Sequence, residues 1–382
     1  MEKKFVIHFI IMVMNKELNL KFRLASLLVL MAMAWPVWAE DNVVLKSKTV
    51  EGVEMTFVVT SEDEKTCSVQ GEVWGGTAID VETAGHLTIP AQASGYTVTA
   101  IQAYAFKDCK NLTSVYIPET ITIIYGYAFE GCVNIADINF PPACEVVGDG
   151  LRESAWYKNQ PDGMVYAGNV AYAYKGDLPE NSHITIKDGC LGIGYEAFSK
   201  VKGLTTITLP ESLKRIEGYA FYESGLKEIV IPSNVMIIDP KAFCGCVELE
   251  KVTFEGQTDE IRLGAFSRCT SMKTIVRYHS DPSSNVSSMA FYYFMEDRDD
   301  ESIYDRTVLY VPKGSADSYR STDPWGLFKQ IIEFEPTVVK STLNPIQQAD
   351  IYWTIGGVKS NGRTKGIKIV RLRNGVTKKF LY

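Results

Sequence analysis

The chain has 382 residues, of which 46% are hydrophobic and 22% charged, and its net charge is −7. This composition is that of a globular protein with a large core, and it excludes a disordered or collagen-like chain. Residues 40–350 carry a net charge of −18, whereas residues 351–382 hold eight basic and no acidic residues. The acidic body argues against nucleic acid as a partner, because phosphates require a basic face.

Residues 1–39 have the order of features of a secretory signal peptide. Basic residues between positions 16 and 23 precede the apolar run Leu24 to Ala34, and Ala39 is a small residue at the cleavage point. The eleven apolar residues are too few to span a bilayer. We therefore predict export to the cell surface or medium, with the periplasm as an alternative and no integral membrane segment in the mature chain. Met14 is an alternative start of translation.

Residues 40–85 contain two strand-like runs, Val53 to Val59 and Cys67 to Gly71, without the repeated unit that begins after them. The end of a repeat array exposes an unpaired strand edge that has to be covered. This region is therefore predicted to be an N-terminal β cap.

Residues 86–335 repeat an Ala-Phe pair every 22 to 25 residues, except for one gap of 69. A period in this range is typical of a solenoid, because a single unit cannot bury its apolar face without a stacked neighbour. The unit reads L-x-x-I-x-I-P-x-x-I-x-x-I-x-x-x-A-F-x-x-C. Its core phenylalanines are Phe106, Phe129, Phe198, Phe221, Phe243, Phe266 and Phe291.

Each unit begins with a strand that has one buried face. The alternation Ile207-Thr208-Leu209 has a period of two, and Pro210 ends the strand because it lacks an N–H. Counting such strands as far as Val308 to Val311 predicts about nine coils with a 23-residue period. The fold class is therefore mainly β with short helical or irregular segments. Trp325 and Phe328 are expected to plug the last coil, in a capping segment over 319–334.

Four cysteines occupy one equivalent position, three residues after a repeat phenylalanine. A small, buried, apolar position of this kind suits a free thiol. We therefore predict unpaired packing thiols instead of the disulfides that are usual in an exported protein. These residues are Cys109, Cys132, Cys246 and Cys269.

The 69-residue gap contains an insertion at about 155–180. Met164 to Tyr166 and Val170 to Tyr174 flank Ala167-Gly168-Asn169, which is a β-hairpin signal.

The I-P and A-F-x-x-C rhythm, the insertion motif W-Y-x-N-Q-P-D-G-x-V-Y-x-G and the closing run Leu309 to Ser315 resemble the BspA-like leucine-rich repeat proteins of Bacteroidetes. The resemblance covers about residues 50–335 and implies a leucine-rich-repeat solenoid. It also implies a secreted or surface-displayed binding protein, in some members an adhesin for host extracellular-matrix proteins. The chain departs from the pattern at Arg277, where an apolar residue is expected, and over the irregular stretch 285–302.

Residues 336–382 are predicted to be a small C-terminal β-domain. Its strands are Ile351 to Ile355, Gly366 to Leu372 and Val376 to Leu381, with a turn at Asn374-Gly375. The segment resembles the C-terminal sorting domains of Bacteroidetes exported proteins, and a plain terminal β-domain is the alternative.

No pattern in the sequence indicates catalysis. The histidines of the mature chain, His86, His183 and His279, lie outside any metal-binding spacing, and no nucleophile or phosphate-loop motif occurs. An acidic loop over 296–301 lacks the alternation of a calcium loop and is interpreted as a solvated loop. The expected outward positions of the strands hold no group for acid–base chemistry; they are Tyr116, Asn139, Thr208, Val230, Thr253 and Val276. We predict no enzyme activity, no cofactor and no metal.

Two sets of tyrosines are candidate binding residues. Tyr104, Tyr127 and Tyr219 share the position two residues before a phenylalanine, and Tyr166, Tyr172 and Tyr174 lie on the predicted hairpin. Rows of aromatic rings can hold a glycan or a protein chain, and they also serve as packing ladders. The function predicted first is binding of a host or bacterial surface protein by a monomer. A glycan-binding module is the alternative, and a hydrolase comes last.

Overall fold

The computed structural model describes residues 43–72, 75–283, 285–292 and 302–335, together with the backbone of four strands between 349 and 381. The fold is mainly β with a few short helices, a β-solenoid of about ten turns with a period near 23 residues. The predicted signal peptide, the acidic loop and the Asn374-Gly375 turn lie outside the described residues. The chain divides into a first unit, Met1–Pro141 with Gly150–Asn159, and a second unit, Pro142–Asp149 with Gln160–Tyr382.

The first unit begins with an antiparallel meander and continues with parallel strands. Met55 and Phe57 on the second strand are fully buried, so this strand has one core face. The strands are β1 (Val44–Lys48), β2 (Glu54–Ser61), β3 (Thr66–Val69), β4 (Gly85–Thr88), β5 (Gln92–Ala93), β6 (Tyr96–Ile101), β7 (Leu112–Tyr116), β8 (Ile123–Ile124) and β9 (Asp137–Ile138). One sheet has the order β1-β2-β3-β6-β8 with β5 on β6, and a second has the order β4-β7-β9.

The second unit contains a hairpin followed by two parallel arrays. The hairpin strands pair antiparallel from Gly163↔Lys175 to Ala167↔Val170. The strands are β10 (Val146–Val147), β11 (Gly163–Ala167), β12 (Val170–Lys175), β13 (Ser182–Thr185), β14 (Gly192–Ile193), β15 (Leu204–Thr208), β16 (Arg215–Ile216), β17 (Glu228–Ile231), β18 (Ile237–Ile238), β19 (Lys251–Phe254), β20 (Glu260–Ile261), β21 (Thr274–Arg277), β22 (Asn285–Val286), β23 (Val308–Pro312) and β24 (Gln330–Phe334). The short strands follow the order β11-β12-β14-β16-β18-β20-β22, and the longer ones the orders β13-β15 and β17-β19-β21-β23-β24.

Helical segments are short. The α-helices are α1 (Ala155–Lys158), α2 (Ile303–Arg306) and α3 (Ala316–Arg320), and 3-10 turns cover Asp149–Leu151 and Trp325–Leu327. Within the described parts of the chain, no helix combines the length and the apolar character that crossing a membrane requires.

The repeat phenylalanines stack ring on ring inside each unit. In the second unit, Phe243 lies 5.0 Å from Phe221 and 4.9 Å from Phe266 between ring centroids, with nearly parallel planes. In the first unit, Phe106 and Phe129 stack at 5.0 Å. All seven rings are at most 1% exposed. We call the row Phe198, Phe221, Phe243, Phe266 and Phe291 the phenylalanine column.

The eight cysteines, all within the described residues, are buried and free. In three coils the thiol donates to the carbonyl of the phenylalanine one coil earlier: Cys132 to Phe106, Cys246 to Phe221 and Cys269 to Phe243, with Sγ–O distances of 2.9, 2.9 and 3.3 Å. Burial raises the pKa of Cys109, Cys132 and Cys246 to about 12. These thiols are therefore unreactive at neutral pH, because the thiolate is the nucleophile.

Strand β24 adds a tenth coil strand that the sequence count did not include. It pairs in parallel with β23 from Val308↔Gln330 to Pro312↔Phe334. The expected plug is confirmed, because Trp325 and Phe328 are buried and each lies 5.3 Å from Phe291 between ring centroids. Sequence reasoning assigned this segment to capping alone because it lacks the Ala-Phe pair.

Arg277 occupies an inward position of β21 and is fully buried. Its guanidinium carbon lies 4.9 Å from the ring centroids of both Phe254 and Trp325, so the cation is held between two aromatic faces. Nη2 donates to the carbonyl of Gln257, and Nε lies 3.4 Å from Oη of Tyr319. Burial lowers the pKa of Arg277. The departure from the repeat is therefore accommodated in the core.

The C-terminal strands form a four-stranded antiparallel sheet of order β26-β25-β27-β28. The strands are β25 (Ala349–Trp353), β26 (Lys359–Ser360), β27 (Ile367–Leu372) and β28 (Thr377–Leu381). The sequence indicated three of them. The fourth, β26, has only two residues and carries no alternating pattern that could be read.

Candidate binding surfaces

The five-stranded sheet of the second unit has one face packed on the core and one face turned outward. Ile229, Val252 and Ile275 are at most 2% exposed and face the core. The residues directly before and after each of them in its strand therefore point to the opposite face. Two columns of outward residues run across the sheet in register. They are Glu228, Lys251, Thr274, Val308 and Gln330, and beside them Val230, Thr253, Val276, Tyr310 and Ile332.

The second of these columns is largely apolar, and we call it the apolar stripe: Val230, Thr253, Val276, Tyr310 and Ile332. Its ends are exposed, at 43% for Val230 and 44% for Ile332. Thr253 and Val276 point outward as expected, but they lie in the middle of the sheet and are only 9% and 6% exposed. Beyond the stripe, Tyr278 and Phe334 pack edge to face at 5.5 Å.

Two histidines are hydrogen-bonded in the same way on outward strand positions. His86 Nδ1 lies 2.8 Å from Oγ of Ser114, and His183 Nδ1 lies 2.8 Å from Oγ1 of Thr206, in each case on the next strand. In each case Nε2 lies 3.2 Å from the threonine two residues on. This arrangement ties neighbouring strands together. The shared pattern His-(Leu/Ile)-Thr-Ile at 86–89 and 183–186 is the sequence signal for it.

The structure brings Tyr104 and Tyr127 together in the first unit. Their rings stack with centroids 5.5 Å apart and planes within 6°. The Lys107 ammonium lies 5.1 Å above the Tyr104 ring, and Tyr127 is 40% exposed. Both tyrosines have a left-handed backbone, with φ of 65° and 61°. That conformation is costly for a bulky residue, and it directs both rings to one side of the coils.

Tyr219 lies in the second unit, among other partners. Its ring centroid is 5.6 Å from that of Tyr195 and 5.5 Å from that of Tyr222, and the Lys241 ammonium lies 5.7 Å above it. Its φ of 56° is again left-handed. The shared sequence position therefore gives two local aromatic clusters.

The hairpin tyrosines are packing residues for the most part. Tyr172 is 1% exposed, so its prediction as a binding residue is wrong. Tyr174 packs against the core and lies 6.4 Å from Phe198 between ring centroids. The hydroxyl of Tyr166 accepts from the backbone N–H of Lys187, whose ammonium lies 4.4 Å above the ring. Tyr172 and Tyr174 share one face of β12, and that strand pairs with the parallel array of the coils.

A cleft of about 770 Å³ lies in the first unit between β2, the loop 76–80 and the start of β4. Four carboxylates line it, those of Glu51, Glu54, Glu72 and Asp80, and we call it the acidic cleft. Its apolar wall includes Val53, Ala78 and Ile79, and Thr56 and His86 also line it. Sequence reasoning missed this site because the four acids come from separate segments of the predicted cap and share no motif.

The short-strand array of the second unit carries a charged network. The Arg215 Nε lies 2.5 Å from Oε1 of Glu217 and 2.7 Å from Oδ2 of Asp239. Arg262 contacts Oδ1 of Asp239 at 2.6 Å and Oε2 of Glu260 at 2.7 Å. Burial, and secondarily the Asp239 carboxylate, raise the pKa of Glu217, whereas Arg215 opposes the shift. The two basic residues hold Asp239 and Glu260 in ion pairs, as expected of a structural network.

Comparison with known proteins identifies the repeat. The model of a family described as "BspA type Leucine rich repeat region" matches the chain in six copies over residues 86–154 and 170–296. These residues are just over half of the chain. No curated protein matches it.

Solved structures that are similar to this chain include leucine-rich repeat proteins and an antigen from bacteria. A leucine rich cell surface protein from Faecalibacterium prausnitzii A2-165 is 17% identical over 77% of this chain and 96% of that chain, with a TM-score of 0.32. The pneumococcal vaccine antigen PcpA is 16% identical over 76% and 98%, with a TM-score of 0.32. A leucine-rich repeat protein from Bacteroides ovatus ATCC 8483 is 22% identical over 60% and 70%, with a TM-score of 0.26.

Proposed function

The chain belongs to the BspA type leucine-rich repeat family, and on that premise we propose that it is an extracellular or cell-surface protein that binds another protein through the apolar stripe. The partner is a surface protein of a host or of a bacterium. The protein holds this partner without catalysing a reaction.

The observation that carries the proposal is the exposed ends of the apolar stripe. Parallel sheets usually have both faces covered, yet Val230 and Ile332 are 43% and 44% exposed on the outward face of this one. Burying an aliphatic side chain of this size contributes about 1.5–3 kcal/mol. Val230 and Ile332, with the half-buried Tyr310 between them, are enough for the central cluster of an interface.

The chemistry of the stripe supports binding over catalysis. Its side chains are those of valine, threonine, tyrosine and isoleucine, so it offers no carboxylate, imidazole or thiol as a general acid or base. The next column holds a single carboxylate, that of Glu228, and it lies on the solvent side.

The test is binding of the purified full-length protein to a panel of immobilised extracellular-matrix proteins. The double variant Val230→Asp with Ile332→Asp places charges at both ends of the stripe and should weaken binding at least tenfold. Val247→Asp is the matched control, because Val247 is 44% exposed in a turn away from the stripe. Equal binding by the double variant and the wild type would contradict the proposal, as would equal loss with Val247→Asp.

A glycan is the second candidate ligand, and the Tyr104–Tyr127 pair favours it. Two parallel rings 5.5 Å apart, on a strained backbone and beside an ammonium, form a platform on which a sugar ring can stack. A glycan array probed with the wild type and with Tyr127→Ala tests this function. Tyr116→Ala is the control, since Tyr116 is 45% exposed on another face of the same unit.

The proposal also includes export of the protein from the cytoplasm. We assign residues 1–39 to a signal peptide and residues 336–382 to a sorting signal of the kind found in Bacteroidetes. The mature N-terminus, determined by sequencing the protein recovered outside the cytoplasm, should be Glu40. Truncation after Glu335 should leave the repeats folded and abolish surface display. Light scattering of the purified protein should give the mass of a monomer.

A further inference from the structure

We propose that the acidic cleft of the first unit binds the ammonium or guanidinium group of a lysine or arginine side chain of a partner polypeptide. This site shares no residue with the apolar stripe, so it stands or falls independently of the proposed function.

The cleft has a surplus of negative charge. Among the described residues, its four carboxylates are accompanied by Lys46, whose Nζ lies 2.6 Å from Glu72 and 3.7 Å from Glu54, and by His86, whose Nε2 lies 3.9 Å from Oε1 of Glu51. Lys46 shows that these two carboxylates are spaced to hold an ammonium. The pair is about half exposed, and exposed pairs of this kind are weak, so an incoming cation can take the place of Lys46.

Glu51 is a fixed negative charge at one wall. Its carboxylate accepts hydrogen bonds from Oγ1 of Thr49 at 2.7 Å, from Oγ1 of Thr88 at 2.6 Å and from the Thr88 backbone N–H at 3.2 Å. Burial raises the pKa of Glu51, but these hydrogen bonds outweigh it and lower the pKa to about 2. The charge is therefore present, and its position is set, over the physiological pH range.

Thr56 is the second observation that points to a ligand. It is 8% exposed, and it lies two residues from Glu54 on β2, so both side chains point to the cleft face of the strand while Met55 and Phe57 fill the core. No hydrogen bond joins its hydroxyl to another of the residues that the structure describes, and Thr56 lines the cleft. The N–H donors of a bound cation can therefore reach this hydroxyl.

The shape of the cleft favours a side chain over a metal ion. In the described part of the chain, no three carboxylate, imidazole or thiol groups are close enough to hold a metal. The acids are instead spread around a volume of about 770 Å³, which is the size of a ligand pocket. Val53, Ala78 and Ile79 supply apolar surface for the methylene stem of a lysine or arginine.

Isothermal titration of the full-length protein with the tripeptides Gly-Arg-Gly, Gly-Lys-Gly and Gly-Gln-Gly tests the site. The two cationic peptides should bind at least tenfold more tightly than the neutral one. Free spermidine is a further probe, since a polyamine offers the same ammonium chemistry. It should bind no more tightly than the peptides, and tighter binding of spermidine would overturn the assignment to a polypeptide side chain.

Variants then locate the binding. Glu54→Gln with Glu72→Gln should weaken the binding of Gly-Arg-Gly at least tenfold. Thr56→Val keeps the shape and charge of the cleft and should weaken it about fivefold. Asp137→Asn, an exposed acid of the same unit outside the cleft, should leave it unchanged. Unchanged binding in both cleft variants, with thermal midpoints like that of the wild type, would overturn the proposal, as would an equal loss with Asp137→Asn.

Discussion

The phenylalanine column and the charged network both lie in the second unit, and each takes a side chain from successive coils. They are built in opposite ways. Identical rings stack on each other at about 5 Å, so the column improves when every coil repeats the same residue. Like charges in neighbouring strands repel, so the acids Glu217 and Asp239 need a basic partner, and Arg215 contacts both of them. A periodic sequence pattern therefore predicts the phenylalanine column but does not predict the charged network.

The largest effect is expected from breaking the column. Phe243→Ala removes a ring that stacks on both Phe221 and Phe266 and leaves a cavity between them. The free energy of unfolding should fall by about 3–5 kcal/mol. Urea denaturation monitored by circular dichroism measures it. Val247→Ala, at an exposed position four residues on, should change it by less than about 0.5 kcal/mol. A loss below 1 kcal/mol for Phe243→Ala would mean that the coils do not depend on the column.

A smaller loss is expected from breaking the network at its centre. Asp239 is 4% exposed and accepts from Arg215 and Arg262, so Asp239→Asn leaves two guanidinium groups without their shared carboxylate. The expected cost is about 1–3 kcal/mol, the range for hydrogen bonds to charged groups. Glu250→Gln is the matched control. Its carboxylate lies 2.7 Å from the Lys273 ammonium, but both side chains are more than half exposed.

Loss of the Glu250–Lys273 pair should lower the free energy of unfolding by no more than about 1 kcal/mol, because solvent screens the two charges. Equal losses of stability for Asp239→Asn and Glu250→Gln would show that burial does not strengthen the ion pairs of the network relative to an exposed pair.

The sequence predicts those features in which one residue type recurs. Phe243 and Cys246 could be placed in the core from their spacing alone, and Trp325 from its place after the last coil. The acidic cleft could not be predicted, because Glu51 and Asp80 meet only through the folding of the cap. Strand β24 lacks the repeat signature, and the burial of Val276 depends on its neighbours in the column. The repeat period predicts where a side chain lies along a coil. Ion pairs and clefts formed by unlike residues depend on tertiary contacts, which the period does not predict.

The buried charge of Arg277 either stabilises or destabilises the folded protein, and two substitutions distinguish these effects. The cation is fully buried between Phe254 and Trp325, and its Nη1 has no hydrogen-bond partner among the described residues. Replacing a buried charge by an apolar side chain of similar volume is often neutral or stabilising. Arg277→Met should therefore raise the free energy of unfolding by about 1 kcal/mol in urea denaturation.

Arg277→Ala is the comparison, since it removes the same charge and also the volume. It should destabilise the protein by about 2–4 kcal/mol through the cavity between the two rings. A loss with Arg277→Met as large as that with Arg277→Ala would show that the cation–aromatic contacts outweigh the cost of burying the charge.

Glu217 gives an effect that changes with pH, and this dependence separates the network from the column. Burial and the neighbouring Asp239 raise the pKa of Glu217 from 4.5 to about 7, so between these values the folded state binds a proton that the unfolded state releases. The contribution of Glu217 to the stability of the wild type should therefore fall as pH rises from 4.5 to about 7. Glu217→Gln, which cannot ionise, should gain on the wild type by at most about 1.4 kcal/mol per pH unit in this window. Thermal unfolding at several pH values measures the difference in stability between Glu217→Gln and the wild type.

Glu228→Gln, on the exposed strand face, is the control. A difference independent of pH for Glu217→Gln would mean that Glu217 stays ionised in the folded state. The two arginines would then outweigh the effect of burial on its pKa.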